Sequence, residues 1–336
     1  MWQVKGQEKA INLIDQALKN GLIAHSYLLT GPEHIGKMTL AKNMAQALNC
    51  EQSSPPCGEC RSCLKIANSS HADVTIVSLS QEDDSEKTEI GIDRIRDICH
   101  SANMPPYEGK FRVFIIDKAE LLSPAASNAL LKTIEEPPPQ IVFIFLTSDS
   151  SRLLPTIVSR CQVISLKLVP ISQVEQFLTQ TYKISPERSR LLAWLSRGRI
   201  GWAISAAEDE STIIKHQEGV KKLVDIINDN EEERLEAAAD MAARFAKNRE
   251  SVYSMLNDWL NFLRDLLLTG LGLSELVINV NFKAVLDALC SNIKLTDIEE
   301  SINNIYKASV DLRHNVSPRL VVDNLFLNLP KRMVEV

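Results

Sequence analysis

An α/β fold, with a parallel sheet covered by helices on both faces and with helical units behind it, is predicted by three observations on this 336-residue sequence. Short apolar runs alternate with helical patterns through the first half. Strand-like runs nearly vanish after Pro170, and from about Thr212 the helical patterns become longer and amphipathic. Buried apolar strands separated by helices belong to parallel sheets, because each crossover helix covers one face.

The elements follow in order. The opening MWQVKGQEKAINLIDQALKN is an amphipathic helix, and its Lys5, Glu8, Lys9, Asp15 and Lys19 break the unbroken apolar core that a signal peptide needs. SYLLT (26–30) reads as a strand, followed by a helix from Met38 to Leu48. DVTIVSL (73–79), a helix from Ile92 to Ala102, and FRVFII (111–116) come next. A helix from Ser123 to Ile134 leads to the strands IVFIFLTS (141–148) and QVISLKL (162–168). The acidic QEDDSEKTE (81–89) is read as a solvated loop. Helical patterns at 171–181, 186–196 and 200–207 form a second unit. HQEGVKKLVDIINDN, EEERLEAAADMAARFAKN and SMLNDWLNFLRDLLL suggest a third, all-helical one. The expected boundaries are 1–168 with a cysteine module at 50–63, then 169–208, then 209–336.

A hydrophobic fraction of 45%, 24% charged residues and a net charge of -6 fit a soluble globular chain and exclude a strongly basic nucleic-acid binder. No apolar stretch is long enough to span a bilayer, so a cytoplasmic protein without membrane contact is expected.

SYLLTGPEHIGKMTLAKNMAQAL places Gly31, Gly36 and Lys37 at phosphate-loop spacing between a strand and a helix. There, backbone N–H groups and the helix N-terminus can cradle phosphates while the lysine reaches the outer ones. The pattern wants Ser or Thr next, to hold magnesium, and this chain has Met38. Thr39 is no substitute, since one helical step turns a side chain by roughly 100°. Phosphate contacts stay open to this loop, but magnesium is poorly held. In VFIIDKAELL, Asp117 ends a strand where it could face a metal, and Lys118 stands where a water-activating glutamate is often found. Lys118 is either a cation in place of that base or an ordinary solvated lysine, and both readings deny hydrolysis.

Cys50, Cys57, Cys60 and Cys63 form C-x6-C-x2-C-x2-C, whose tight turns let thiolates converge on one tetrahedral ion. Four sulfurs without an open position describe structural zinc. His25 and His71 are read as surface or packing residues, and Cys99 and Cys290 as small core residues. SNALLKTIEEPPPQIVFIFLTSDSSRLLPTIVSRC carries a helix to Glu135 and Glu136, a buried strand to Thr147 and Ser148, and a second helix to Ser159-Arg160-Cys161. On its own, Arg160 reads as half of a surface ion pair.

GPEHIGK, CGECRSC, SNALLKTIEEPP and SRC, in this order, resemble an AAA+ clamp-loader subunit of the bacterial DNA polymerase III holoenzyme. LRHNVSPRLVVDNLFL (312–327) resembles the end of that family's helical collar, so the resemblance spans nearly the whole chain. It implies a P-loop AAA+ domain with a zinc-module insert, a small helical lid and an all-α collar that makes the main oligomer contacts. It also implies that Arg160 reaches a neighbouring subunit's ATP site as a trans arginine finger. Within the family, gamma/tau motors and the delta-prime stator share this layout. Motors keep Ser/Thr after the P-loop lysine, Asp-Glu at the strand end and a lid arginine. The matching positions here are Met38, Lys118 and Gly201. The chain also ends soon after the collar. The departures resemble the stator, which would not hydrolyse ATP but would brace a ring that loads the sliding clamp onto primed DNA. Implied partners are the gamma/tau motor subunits, the delta subunit and, through the complex, the clamp and primer-template DNA. An active gamma/tau-type ATPase and a zinc-ribbon nucleic-acid binder are the rival readings. Against the second, Glu51 and Glu59 sit among few cations, mainly Arg61 and Lys65.

Overall fold

The computed structural model describes residues 2–79, 89–209, 211–314 and 316–331, so the acidic loop at 81–88 lies outside the described residues. The chain forms two compact units, Met1–Ile204 and Ser205–Val336. The helices expected at 169–208 belong, up to Ile204, to the same unit as the sheet.

The first unit contains α1 (Glu8–Lys19), β1 (Ser26–Thr30), α2 (Lys37–Asn49), α3 (Arg61–Ala67), β2 (Val74–Val77), α4 (Ile92–Ala102), β3 (Arg112–Ile116) and α5 (Pro124–Glu135). It continues through β4 (Ile141–Thr147), α6 (Pro155–Val158), β5 (Gln162–Ser165), α7 (Ile171–Thr181) and α8 (Pro186–Ser196), and the division falls inside α9 (Ile200–Glu208). The sheet is parallel throughout, in the order β2-β3-β4-β1-β5. β4 lies between β3 and β1 and is buried along its whole length, which explains its unbroken apolar sequence. Separate apolar clusters form around Leu29, Leu40, Met44, Val142 and Ile144, and around Phe114, Phe143, Phe145, Leu130 and Ile157. The alternation of Phe143 and Ile144 between them is the period-2 alternation of a strand with both faces covered. α5 starts where Ser123 Oγ accepts the Ala126 N–H at 3.1 Å and Pro124 presets the first helical dihedral.

Two local readings are corrected. The strand expected at 162–168 pairs with β1 only as Gln162–Ser165. Beyond it Leu166 N–H still bonds the Thr30 carbonyl, and the Gln7 side chain takes over, donating to Lys167 O at 2.7 Å and accepting from Lys167 N at 3.1 Å. The turns expected throughout CGECRSC give way to α3 from Arg61, because Cys60 Sγ takes the place of a capping oxygen.

The second unit holds α10 (Ser211–Asn228), α11 (Glu231–Lys247), α12 (Arg249–Gly270), α13 (Lys283–Cys290), α14 (Leu295–Arg313) and α15 (Pro318–Leu327). Trp259 and Phe262 are fully buried at its centre. Asn230 and Glu233 form a reciprocal capping box at α11, each bond 3.0 Å. No helix among the described residues is long and apolar enough to cross a membrane.

Candidate phosphate-loop site and metal centre

The loop after β1 lies at the carboxyl edge of the sheet, the edge at which ligands bind in open α/β folds. Gly31, at φ 148°, packs so tightly on the end of β5 that a β-carbon would stand 2.7 Å from Leu166 O. Gly36, at φ 102°, turns the chain into α2 through a conformation that side chains disfavour. Lys37 therefore opens the helix. Its ammonium turns back onto the loop, donating to Gly31 O at 2.5 Å and Pro32 O at 2.8 Å. Burial lowers its pKa, while Glu120, Glu33 and Asp117 oppose the shift.

Met38 is half-buried against the apolar cluster beneath the loop, and Thr39 is exposed. Neither position offers the loop the hydroxyl that usually holds magnesium. Asp117 follows β3, and burial raises its pKa against the opposing Lys118 N–H, which it accepts at 3.0 Å, and the charges of Lys118 and Lys37. Lys118 takes a left-handed φ of 49° and begins a short 3-10 turn. That turn delivers Glu120, whose Oε1 accepts from Ser148 N at 3.3 Å and Ser148 Oγ at 2.7 Å, at the end of β4. In the sequence motifs Glu120 has no assigned role. Its position two residues after the lysine, in DKAEL, was the available signal.

The third departure lies on α9. Gly201 donates its N–H to His34 O at 2.8 Å. Arg160 follows the single turn of α6. Its guanidinium pairs with Glu135 Oε1 at 2.7 Å and donates to Thr156 O at 3.1 Å and Ser159 Oγ at 3.3 Å. The surface ion pair expected on physical grounds is thus present, with a side chain left 38% exposed.

The four cysteines converge. Their Sγ atoms lie within 4.8 Å of one another, and Cys57 and Cys63 are 3.8 Å apart, close to the ~3.8 Å edge of a tetrahedron built on Zn–S bonds of about 2.3 Å. Backbone N–H groups of Cys60 and Glu59 aim at Cys57 Sγ and bring its pKa down to about 6, whereas burial drives Cys63 upward. Such a donor set fits zinc, which would displace the thiol protons and relieve the crowding of four sulfurs. Supporting bonds anchor the module to the sheet domain: Gln46 Nε2 donates to Cys63 O at 2.9 Å and Lys110 Nζ to Cys50 O at 2.8 Å. His71 is not among the ligands. It accepts the Asp73 N–H at 3.1 Å and faces Ser62 Oγ at 3.0 Å, a buried packing histidine, while His25 is exposed. Cys99 and Cys290 are half-buried against apolar clusters.

A glycine-bearing loop after β1, a strand-end aspartate and a parallel sheet together give an α/β unit with the architecture of phosphate-loop folds. Residues 6–170 match the family described as DNA polymerase III, delta subunit. The chain is 37% identical over 170 residues to the DNA polymerase III subunit gamma/tau of Mycobacterium bovis, covering 50% of this chain and 28% of that protein. It is 29% identical over 265 residues to the Escherichia coli subunit tau, covering 76% and 39%. A DNA polymerase III gamma subunit-related protein of Thermotoga maritima aligns over 96% of this chain and 98% of its own at 19% identity, with a TM-score of 0.47. The chain thus spans well under half the length of these two curated relatives.

Proposed function

We propose that this chain is a clamp-loader subunit of the stator, delta-prime type, which does not hydrolyse ATP but donates Arg160 to the ATP site of a neighbouring motor subunit. The observation that carries the reading is Met38. The residue after the phosphate-loop lysine packs its thioether toward the core, so the loop brings no hydroxyl to a metal. Lys118 in place of a base and Gly201 against His34 support it. On this reading residues 169–208 serve as the lid and 209–336 as the collar that joins neighbouring subunits. Cys50, Cys57, Cys60 and Cys63 hold structural zinc. Gly31, Gly36, Lys37 and Asp117 are what remains of a nucleotide site, kept for its architecture.

Arg160 supplies the chemistry. A guanidinium stabilises charge developing on a transferring phosphoryl group through forked contacts, and a trans arginine is worth ~10³ to 10⁵ in rate in other phosphoryl-transfer systems. The test is reconstitution with gamma/tau motor subunits, the delta subunit, sliding clamp and primer-template DNA. The isolated chain is expected to turn over no ATP, and Lys37→Ala is expected to leave clamp loading nearly unchanged. Arg160→Ala is expected to abolish fast hydrolysis at one adjoining site. ATP turnover by the isolated chain at motor-subunit rates would instead establish the gamma/tau-type reading.

A further inference from the structure

We propose that Glu135 is a positioning residue for Arg160, holding its guanidinium at the surface in an orientation ready to receive phosphate oxygens of a nucleotide bound by a neighbouring chain. The proposal rests on the trans-arginine reading above. It adds a residue to which nothing so far gave a part.

The two side chains stand on rigid stems. Ile134, immediately before Glu135, is 5% exposed, and Ile157, three residues before Arg160, is fully buried in the same apolar cluster. Cys161, immediately after Arg160, packs against that cluster too, and burial pushes its thiol pKa up to about 12. Helices α5 and α6 are therefore locked to one another beneath the pair. Glu135 and Arg160 project from this junction into solvent.

A half-exposed ion pair contributes little to stability, since desolvation is slight and salt screens it. Its consequence here is directional. A free arginine samples many rotamers, and each must be abandoned before a fork can form on phosphate. Arg160 has already given up that freedom: one terminal nitrogen is engaged by Thr156 O and Ser159 Oγ, and the other by Glu135 Oε1. A guanidinium carries five N–H donors, so these contacts leave the Nε–H and one terminal N–H free. A partly satisfied fork presents those donors to a second anion without being captured by the first. Glu135 is thus a tether, and the arginine remains competent.

The experiment is a double-mutant cycle in the reconstituted complex, reading kcat and KM for ATP at the adjoining motor site, with assembly checked by sizing. Glu135→Ala is expected to lower kcat roughly 10-fold with KM unchanged, inside the ~10²-fold that a 1 Å misplacement can cost. Glu135→Gln keeps an acceptor oxygen at the same reach and is expected to recover most of that loss. In an Arg160→Ala background Glu135→Ala should change nothing further, because the residue acts only through the arginine. An unchanged or raised rate in Glu135→Ala, equal losses in both backgrounds, or no recovery by Glu135→Gln would each overturn the tether. Should Arg160→Ala alone keep the wild-type rate, the trans-arginine reading itself falls, an outcome distinct from all of these.

Discussion

Gly201 and His34 meet backbone to backbone: the Gly201 N–H donates to the His34 carbonyl at 2.8 Å, and a β-carbon at 201 would stand 2.6 Å from that oxygen. The first turn of α9 therefore rests on the phosphate loop itself. Gly201 stands where the resemblance to motor subunits would place a lid arginine. In this structure no side chain of any kind fits there.

Gly201→Arg is accordingly expected to destabilise the first unit rather than to create a phosphate sensor. Separating the two backbones sacrifices one backbone hydrogen bond and strains the packing, a cost of about 1–3 kcal/mol. A lowered melting temperature without gain in nucleotide affinity, read by calorimetry and equilibrium dialysis, is the expected pair of results. Unchanged stability would show that α9 lifts freely from the loop.

How far the sequence reached depends on whether an interaction is local. β1 and α4 coincide with the runs read for them, because an apolar strand or an amphipathic helix announces itself within a few residues. The cysteine cluster was equally legible, its ligands lying within one short segment. Glu135 with Arg160, and Glu120 with Ser148, were not: each pair joins positions brought together by the order of the sheet and the packing of α5 on α6. Gln7 replacing the end of a strand at Lys167 is of the same kind, a contact across 160 positions. Helix α3 was missed because its cap is a cysteine thiol, outside the usual capping residues.

Removal of zinc is expected to loosen the module locally. Thiolate ligation is worth an apparent ~10 to 16 kcal/mol in small zinc peptides, whereas the module is also tied to the sheet domain through Gln46 and Lys110. Protein purified under reducing, chelator-free conditions should contain one zinc per chain, and Cys57→Ser should lower that content. After chelation, amide exchange should rise within residues 50–67 while β3 and β4 stay protected. Metal-free protein with unaltered exchange there would remove zinc from the account.

Arg234 of α11 has no solvent exposure, and five main-chain carbonyls surround its guanidinium: Asp229, Ile227, Phe326, Leu329 and Pro330, at 2.8 to 3.3 Å. The oxygens cluster in the last turns of α10 and α15 and just beyond them, where a cation also meets the negative ends of the helix dipoles. Arg234→Met should therefore cost the second unit about 3 kcal/mol or more by stranding buried acceptors. Arg234→Lys should recover only part, having three donors where five are used. Denaturant melts of the full chain check both, and a loss below 1 kcal/mol for Arg234→Met would mean that water replaces the guanidinium at little cost.

The second unit also contains a histidine whose protonation is dictated by its neighbours. His216 of α10 places Nδ1 2.8 Å from Asp258 Oδ1 and Nε2 2.9 Å from Asn279 Oδ1. Asn279 cannot be turned to offer its NH2 instead, because that group donates to Asp265 Oδ2 at 2.8 Å, and Asp265 Oδ1 is itself paired with Arg264 at 3.0 Å. Both ring nitrogens face acceptors, so the imidazole must donate twice and carry charge. Burial alone would lower its pKa, but Asp258, Asn279 and the charge of Asp265 outweigh burial and raise it. A folded pKa above the ordinary ~6.5 gives stability that is complete below pH ~6.5 and disappears as pH climbs through the folded value. The stability difference between wild type and His216→Gln, measured by chemical denaturation from pH 5.5 to 9, should therefore be largest at the acid end and shrink steadily above pH ~6.5. Glutamine supplies only an amide for two acceptors, so the variant should be less stable at pH 6, by roughly 1–3 kcal/mol. A difference that instead moved in favour of wild type as pH rose from 5.5 through ~6.5 would show that the ring is neutral in the folded chain and would require Asn279 to release Asp265, and a difference constant throughout would show an unshifted ring.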